Sequence, residues 1–198
     1  MPKVSQEHKD KIKHLIFEAA LKNFSKFGYY QTKMDDIAKS ANVSKGTLYL
    51  YFQSKEDLFL HMCRQNRQNL IHVRTGLFQD KKKLASDLGK FYDDLTSIQK
   101  DTERAWLEGI AESIRNPKLK QTVIYQRGEL EEIVTEFLKQ MKKDGDFFRD
   151  DVDLKTMARG IIALYHGLTI MRITNRNDNT VRDSWVKTML SIFAGAEK

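Results

Sequence analysis

Apolar side chains recur every three or four residues along almost the whole chain, a periodicity that predicts an all-α protein of about nine helices. Residues 5–27 place Ile12, Leu15, Ile16, Ala19, Ala20, Phe24 and Phe27 on one helical face, and Gly28 can supply a left-handed cap. Two short helices and the start of a third follow, each opened by a hydroxyl residue: Thr32, Ser44 and Ser54. Asp35 and Asp57 stand three residues after Thr32 and Ser54, which is capping-box spacing. Ile37, Ala38, Ala41, Val43, Leu48 and Phe52 are expected to form a small core, turning Lys45, Thr47, Tyr49 and Tyr51 outward.

The remaining pattern is of longer helices. Residues 54–77 read as one helix through Leu58, Phe59, Met62, Leu70, Val73 and Leu77, and its rotation would move whatever precedes it. After the polar break at 79–83, helices are expected over 84–98, 102–114 and 117–143, with Asn116-Pro117 as a breaker. In the next, 154–174, Met157, Ile161, Leu164, Leu168 and Met171 run beside a strip of Gly160, Ala163 and Gly167. The last, about 179–194, has Val181, Trp185, Met189, Ile192 and Phe193. This pair shows more apolar surface than one subunit needs. Met157, Ile161, Leu164, Leu168, Trp185, Met189 and Ile192 are therefore expected to form a four-helix interface with a second copy, intrachain packing being the alternative.

Charge sharpens this division. Residues 1–78 carry 13 Lys+Arg against 7 Asp+Glu, whereas 79–198 carry 21 against 20, so nearly all of the net +7 lies in the first part. That is the footprint of a polyanion-binding surface, and a basic arm of Lys3, Lys9, Lys11 and Lys13 leads into it. One cysteine, Cys63, precludes an intramolecular disulfide, and no stretch has the length and apolarity of a membrane span, so a cytoplasmic setting is expected. No catalytic constellation, phosphate loop or metal-ligand spacing stands out, and the five histidines are scattered. Neither an enzyme nor a cofactor or metal is expected.

The run Ile37-Ala38, Ala41, Val43-Ser44, Gly46, Tyr49, Tyr51-Phe52, Lys55 and Leu58 resembles the DNA-binding signature of TetR-type transcriptional repressors. One departure is Asn42, where such proteins often have glycine; asparagine also tolerates left-handed angles. The resemblance implies a helix-turn-helix domain over 1–53, a linking helix over 54–78 and a larger effector-binding and dimerisation domain over 79–198. It implies a homodimer on an inverted-repeat operator in double-stranded DNA, with Thr32, Ser44 and Lys55 holding phosphates and Lys45, Gly46, Thr47, Tyr49 and Tyr51 facing bases or backbone. It also implies a pocket for a small-molecule effector, for which Phe91, Trp106, Glu108, Tyr125, Phe137, Tyr165 and His166 are candidate linings. An activator of the same fold, a basic protein-interaction module and a helical enzyme are the readings that remain beside it.

Overall fold

The computed structural model describes residues 5–73, 76–145, 147–175 and 180–197. The described residues form nine α-helices: α1 Gln6–Gln31, α2 Met34–Ser40, α3 Lys45–Tyr51, α4 Lys55–Val73, α5 Leu84–Gln99, α6 Glu103–Glu112, α7 Pro117–Gly145, α8 Leu154–Thr174 and α9 Val181–Ala196. A 3-10 turn at Lys81–Lys83 precedes α5. The all-α expectation holds. Lys3 and the expected start of the last helix at Asn179 lie outside the described residues.

The chain divides into two compact units. The first comprises residues 1–65 and 100–124, the second 66–99 and 125–198, and α4 and α7 each run from one into the other. The first unit thus takes in residues beyond 1–53. Its core of Ile16, Phe24, Ile37, Leu48, Leu58, Phe59 and Met62 is closed from the far side by Ala105 of α6 and Leu119 of α7. The reason is local: Gly109 of α6 leaves no side chain above its backbone, and the Phe59 ring fills that space.

In the second unit Leu88, Tyr92, Leu95, Leu138, Phe148, Trp185, Met189 and Phe193 make the core. The Trp185 indole N–H donates to the Leu88 carbonyl at 3.1 Å, satisfying a polar group that burial would otherwise penalise. Arg149 closes the end of α9 by donating to the Gly195 carbonyl at 2.9 Å.

Four of the seven residues expected at a dimer face are buried within the subunit. Trp185 is 1 % exposed, Met189 3 %, Leu168 6 % and Ile161 9 %, so these four fill the subunit's own core. Met157, Leu164 and Ile192 are partly buried against the same core. Large side chains maximise buried apolar area on the inner face, which leaves the small strip facing out. Gly160, Ala163 and Gly167 on α8 are exposed, beside Ile170 and Met171, as are Thr188, Ser191 and Gly195 on α9.

Candidate nucleic-acid interface

Three short-range devices build the first unit's outer surface. Ser44 caps α3, accepting from the Thr47 N–H at 3.0 Å, and Asn42 takes the left-handed angle (φ 53°) that the turn before it requires. Ser54 opens α4 by accepting from the Asp57 N–H at 3.3 Å, while the Asp57 carboxylate accepts from the Gln53 N–H at 3.2 Å. The Phe52 ring, which ends α3, packs edge-on to His61 of α4 (5.5 Å between centroids), and His61 also meets Phe17 of α1 at 4.6 Å. Burial, with Lys13 and Arg64 nearby, lowers the His61 pKa and favours the neutral ring between these aromatics.

Thr32 departs from expectation. The residue that precedes α2 as its cap is Lys33, with no side-chain cap bond. Thr32 is 3 % exposed, and its hydroxyl donates to the Gly28 carbonyl at 2.6 Å. A buried hydroxyl spent on the end of α1 does not present itself to a phosphate, and Asp35 is released to pair with Lys45 at 2.8 Å.

Lys55 departs in the same way. Its ammonium donates to the carbonyls of Tyr29 (2.8 Å), Thr32 (3.1 Å) and Tyr30 (3.3 Å), and lies 4.4 Å from the centre of the Tyr29 ring. All three donors of the ammonium are occupied. Burial lowers its pKa, opposed by the charges of Glu56, Glu112 and Glu108, and the half-buried cation ties the end of α1 to the start of α4.

The outward face of α3 follows from the helical repeat. Leu48 is fully buried and Phe52 nearly so, and with those two inward the exposed positions are Lys45, Gly46, Tyr49, Leu50 and, just past the helix, Gln53. Thr47 and Tyr51 are partly buried: Thr47 turns back to Ser44, the two hydroxyl oxygens being 2.8 Å apart, and Tyr51 packs on the core. The expected set of alternate residues, 45, 47, 49 and 51, has the period of a strand; successive residues of a helix turn by about 100° and cannot share a face at that spacing. Sequence reasoning therefore missed Leu50 and Gln53, which a helical projection through Leu48 and Phe52 would have placed outward.

Two features suit this face to an acidic partner. A side chain at Gly46 would meet only Ser44 Oγ, at 3.8 Å, so nothing in the protein's own packing requires glycine in this exposed first turn. Lys45 is exposed, and its pair with Asp35 is a solvent-screened contact that a phosphate can replace.

The expected effector residues are divided between the two units. Trp106 and Glu108 belong to the first unit, where Trp106 packs on the core and the Glu108 carboxylate accepts from the Tyr30 N–H at 2.9 Å and from Arg104 at 2.8 Å. In the second unit Phe91 and Phe137 both pack on Phe78 (5.8 and 5.4 Å), and Tyr165 lies against Trp185 at 5.9 Å. Tyr125 is 51 % exposed, with its hydroxyl on Glu129. His166 is held neutral, its pKa lowered to about 4 by burial and by Arg127. Among the described residues no cluster of His, Cys, Asp and Glu could hold a metal ion, and no helix is long and apolar enough to cross a membrane.

Residues 16–62 match the bacterial regulatory proteins of the tetR family, and residues 90–191, half of the chain, match the C-terminal region of BetI-type transcriptional repressors. The HTH-type transcriptional regulator YhgD of Bacillus subtilis (strain 168) is 60 % identical over 47 residues, covering 24 % of this chain and 25 % of that protein. The chain spans between about a sixth and about half the length of the first curated relatives it matches. Salmonella enterica GusR superposes over 98 % of both chains with a TM-score of 0.73 at 22 % identity. The Bacillus subtilis regulator FadR, in complex with stearoyl-CoA, does so over 93 % of this chain and 99 % of its own, with a TM-score of 0.67 at 19 % identity. At those identities the two structures speak to the fold, and the sequence matches carry the assignment: the chain belongs to the TetR family of bacterial transcriptional regulators.

Proposed function

We propose that this regulator is a homodimeric repressor that grips an inverted-repeat operator and is released from it by a small-molecule effector. The observation that carries the DNA-binding part is the outward face of α3, where an exposed lysine, an unfilled glycine and an exposed phenol share one side of a capped helix. Such a helix, supported by a preceding one, fits the major groove. Selection of bound fragments from random duplex DNA tests the reading: an enriched inverted repeat is expected, and enrichment of no sequence would exclude it.

Within the selected operator, Lys45→Ala and Tyr49→Ala are each expected to weaken binding about 10- to 100-fold, the range of one good base or phosphate contact. Both side chains are exposed and make no core contact, so the melting temperature of the free protein should not move. Wild-type affinity in both variants would remove α3 from the interface.

The outward strip on α8 and α9 supports the dimer. A Cβ placed at Gly160, Gly167 or Gly195 meets no atom within 4 Å of its own chain, so small residues there serve no intrachain contact and permit close approach of another helix. Gly167→Leu is accordingly expected to shift the sedimenting species from dimer to monomer while leaving the helical signal unchanged. A Gly167→Leu protein that stays dimeric would place the contact elsewhere.

The effector part rests on the second unit. The hydroxyls of Tyr92 (4 % exposed) and Thr169 (3 % exposed), and that of Thr96, are buried without a hydrogen-bond partner among the described residues. Tyr92 packs on Tyr165 at 6.2 Å, and Thr169 is one turn beyond Tyr165 on the same face of α8. Buried hydroxyls of this kind favour an effector that supplies hydrogen-bonding atoms. An effector that prefers a conformation unfit for the operator lowers DNA affinity by its differential affinity for the two states, about 5- to 150-fold for ordinary couplings. Tyr92→Phe and Thr169→Val should both weaken such a compound; if neither does, the site lies elsewhere.

A further inference from the structure

Leu50 is 83 % exposed in a helix of seven residues. The first unit's core has no use for it: Leu48 at 0 % and Phe52 at 2 % already take the inward positions of α3. Exposure is imposed by the helical repeat, which sets Leu50 beside Tyr49 and one turn from Gly46 on the face that Lys45 opens. An isobutyl group held in water gains nothing for folding, and a polar residue would serve solubility better. On the edges of base pairs in the major groove, the one apolar group is the C5 methyl of thymine.

We propose that Leu50 is a specificity-determining residue that packs against the 5-methyl group of a thymine in each operator half-site. The inference rests on the DNA-binding reading above and adds what the face reads. Lys45 supplies the electrostatic hold, which is indifferent to sequence, whereas Leu50 distinguishes thymine from the other bases by hydrophobic contact. It makes a half-site whose bases are otherwise hydrogen-bonded depend on one methyl group.

The experiment uses the full chain and its selected operator. Each thymine of the half-site is replaced in turn by deoxyuridine, which removes the methyl and leaves the pairing edge intact. Affinities are then measured for the wild-type protein and for Leu50→Ala. At one position deoxyuridine should weaken the wild type by about fourfold, the worth of one buried methyl. The same replacement should leave Leu50→Ala unaffected, and Leu50→Ala should bind the thymine operator at least fourfold more weakly while melting as the wild type does. Equal sensitivity of both proteins at every thymine, or no sensitivity in the wild type, overturns the assignment while leaving DNA binding by α3 intact. Failure of the selection itself would instead strike the DNA-binding reading, and this assignment would fall with it.

Discussion

Gly28→Ala is expected to cost the first unit about 3–5 kcal/mol of stability, read from urea denaturation of the free protein. Gly28 interrupts α1 at φ 75°, ψ 179°, a region that residues with a Cβ enter at a cost of about 1–3 kcal/mol. A Cβ there would also be driven into the Glu108 carboxylate. Glu108 has little freedom to withdraw, because it accepts from the Tyr30 N–H and from Arg104, and losing the charge-assisted bond to Tyr30 adds about 1.5–3 kcal/mol. In the Glu108→Ala background the clash disappears and the strain stays, so the two substitutions should be clearly non-additive. Gly128→Ala supplies the contrast. Gly128 lies in the interior of α7 with open space around it, and alanine there should stabilise by about 0.5–1 kcal/mol. If Gly28→Ala and Gly128→Ala behave alike, the kink in α1 is not held by Gly28 and Glu108.

Lys55→Met should lower stability by about 2–4 kcal/mol in the absence of DNA. The substitution keeps the apolar stem and removes an ammonium that bonds three carbonyls, leaving those acceptors, two of them part-buried, to find other partners. This measurement separates two roles for the residue. A phosphate-holding lysine would leave the free protein's stability unchanged, weaken specific and non-specific DNA alike, and make the salt dependence shallower by about one ion. The structure predicts the loss of stability: Lys55 shapes the surface from which α3 projects.

These two residues also show how far a linear reading carries. Gly28 was expected to supply a left-handed cap; it takes a positive φ, but the helix runs on past it to Gln31 across a kink, and its closeness to Glu108, 80 positions away, has no trace in the local pattern. Lys55 fits the family pattern, yet its partners are main-chain carbonyls 23 to 26 residues earlier, and backbone atoms carry no residue type from which to infer a pairing. Thr32 and Ser54 have the same spacing to an aspartate, and only Ser54 became a cap. At Thr32 the hydroxyl turned to the Gly28 carbonyl, and Asp35 found Lys45, so long-range partners outcompeted the local one.

What the sequence by itself determined is whatever depends on neighbours in the chain. Apolar spacing set the helices, Ser44 and Ser54 set their starts, Asn42 permitted the turn, and the run from Ile37 to Leu58 set the family. Tertiary structure decided which side of each helix faces inward. On α8 and α9 the large residues went to the core and the small strip to the surface; on α3, burial of Leu48 and Phe52 exposed Leu50 and drew Thr47 and Tyr51 in. A period of 3.6 tells that a helix has two faces, but which one is covered depends on the volume offered by elements distant in sequence.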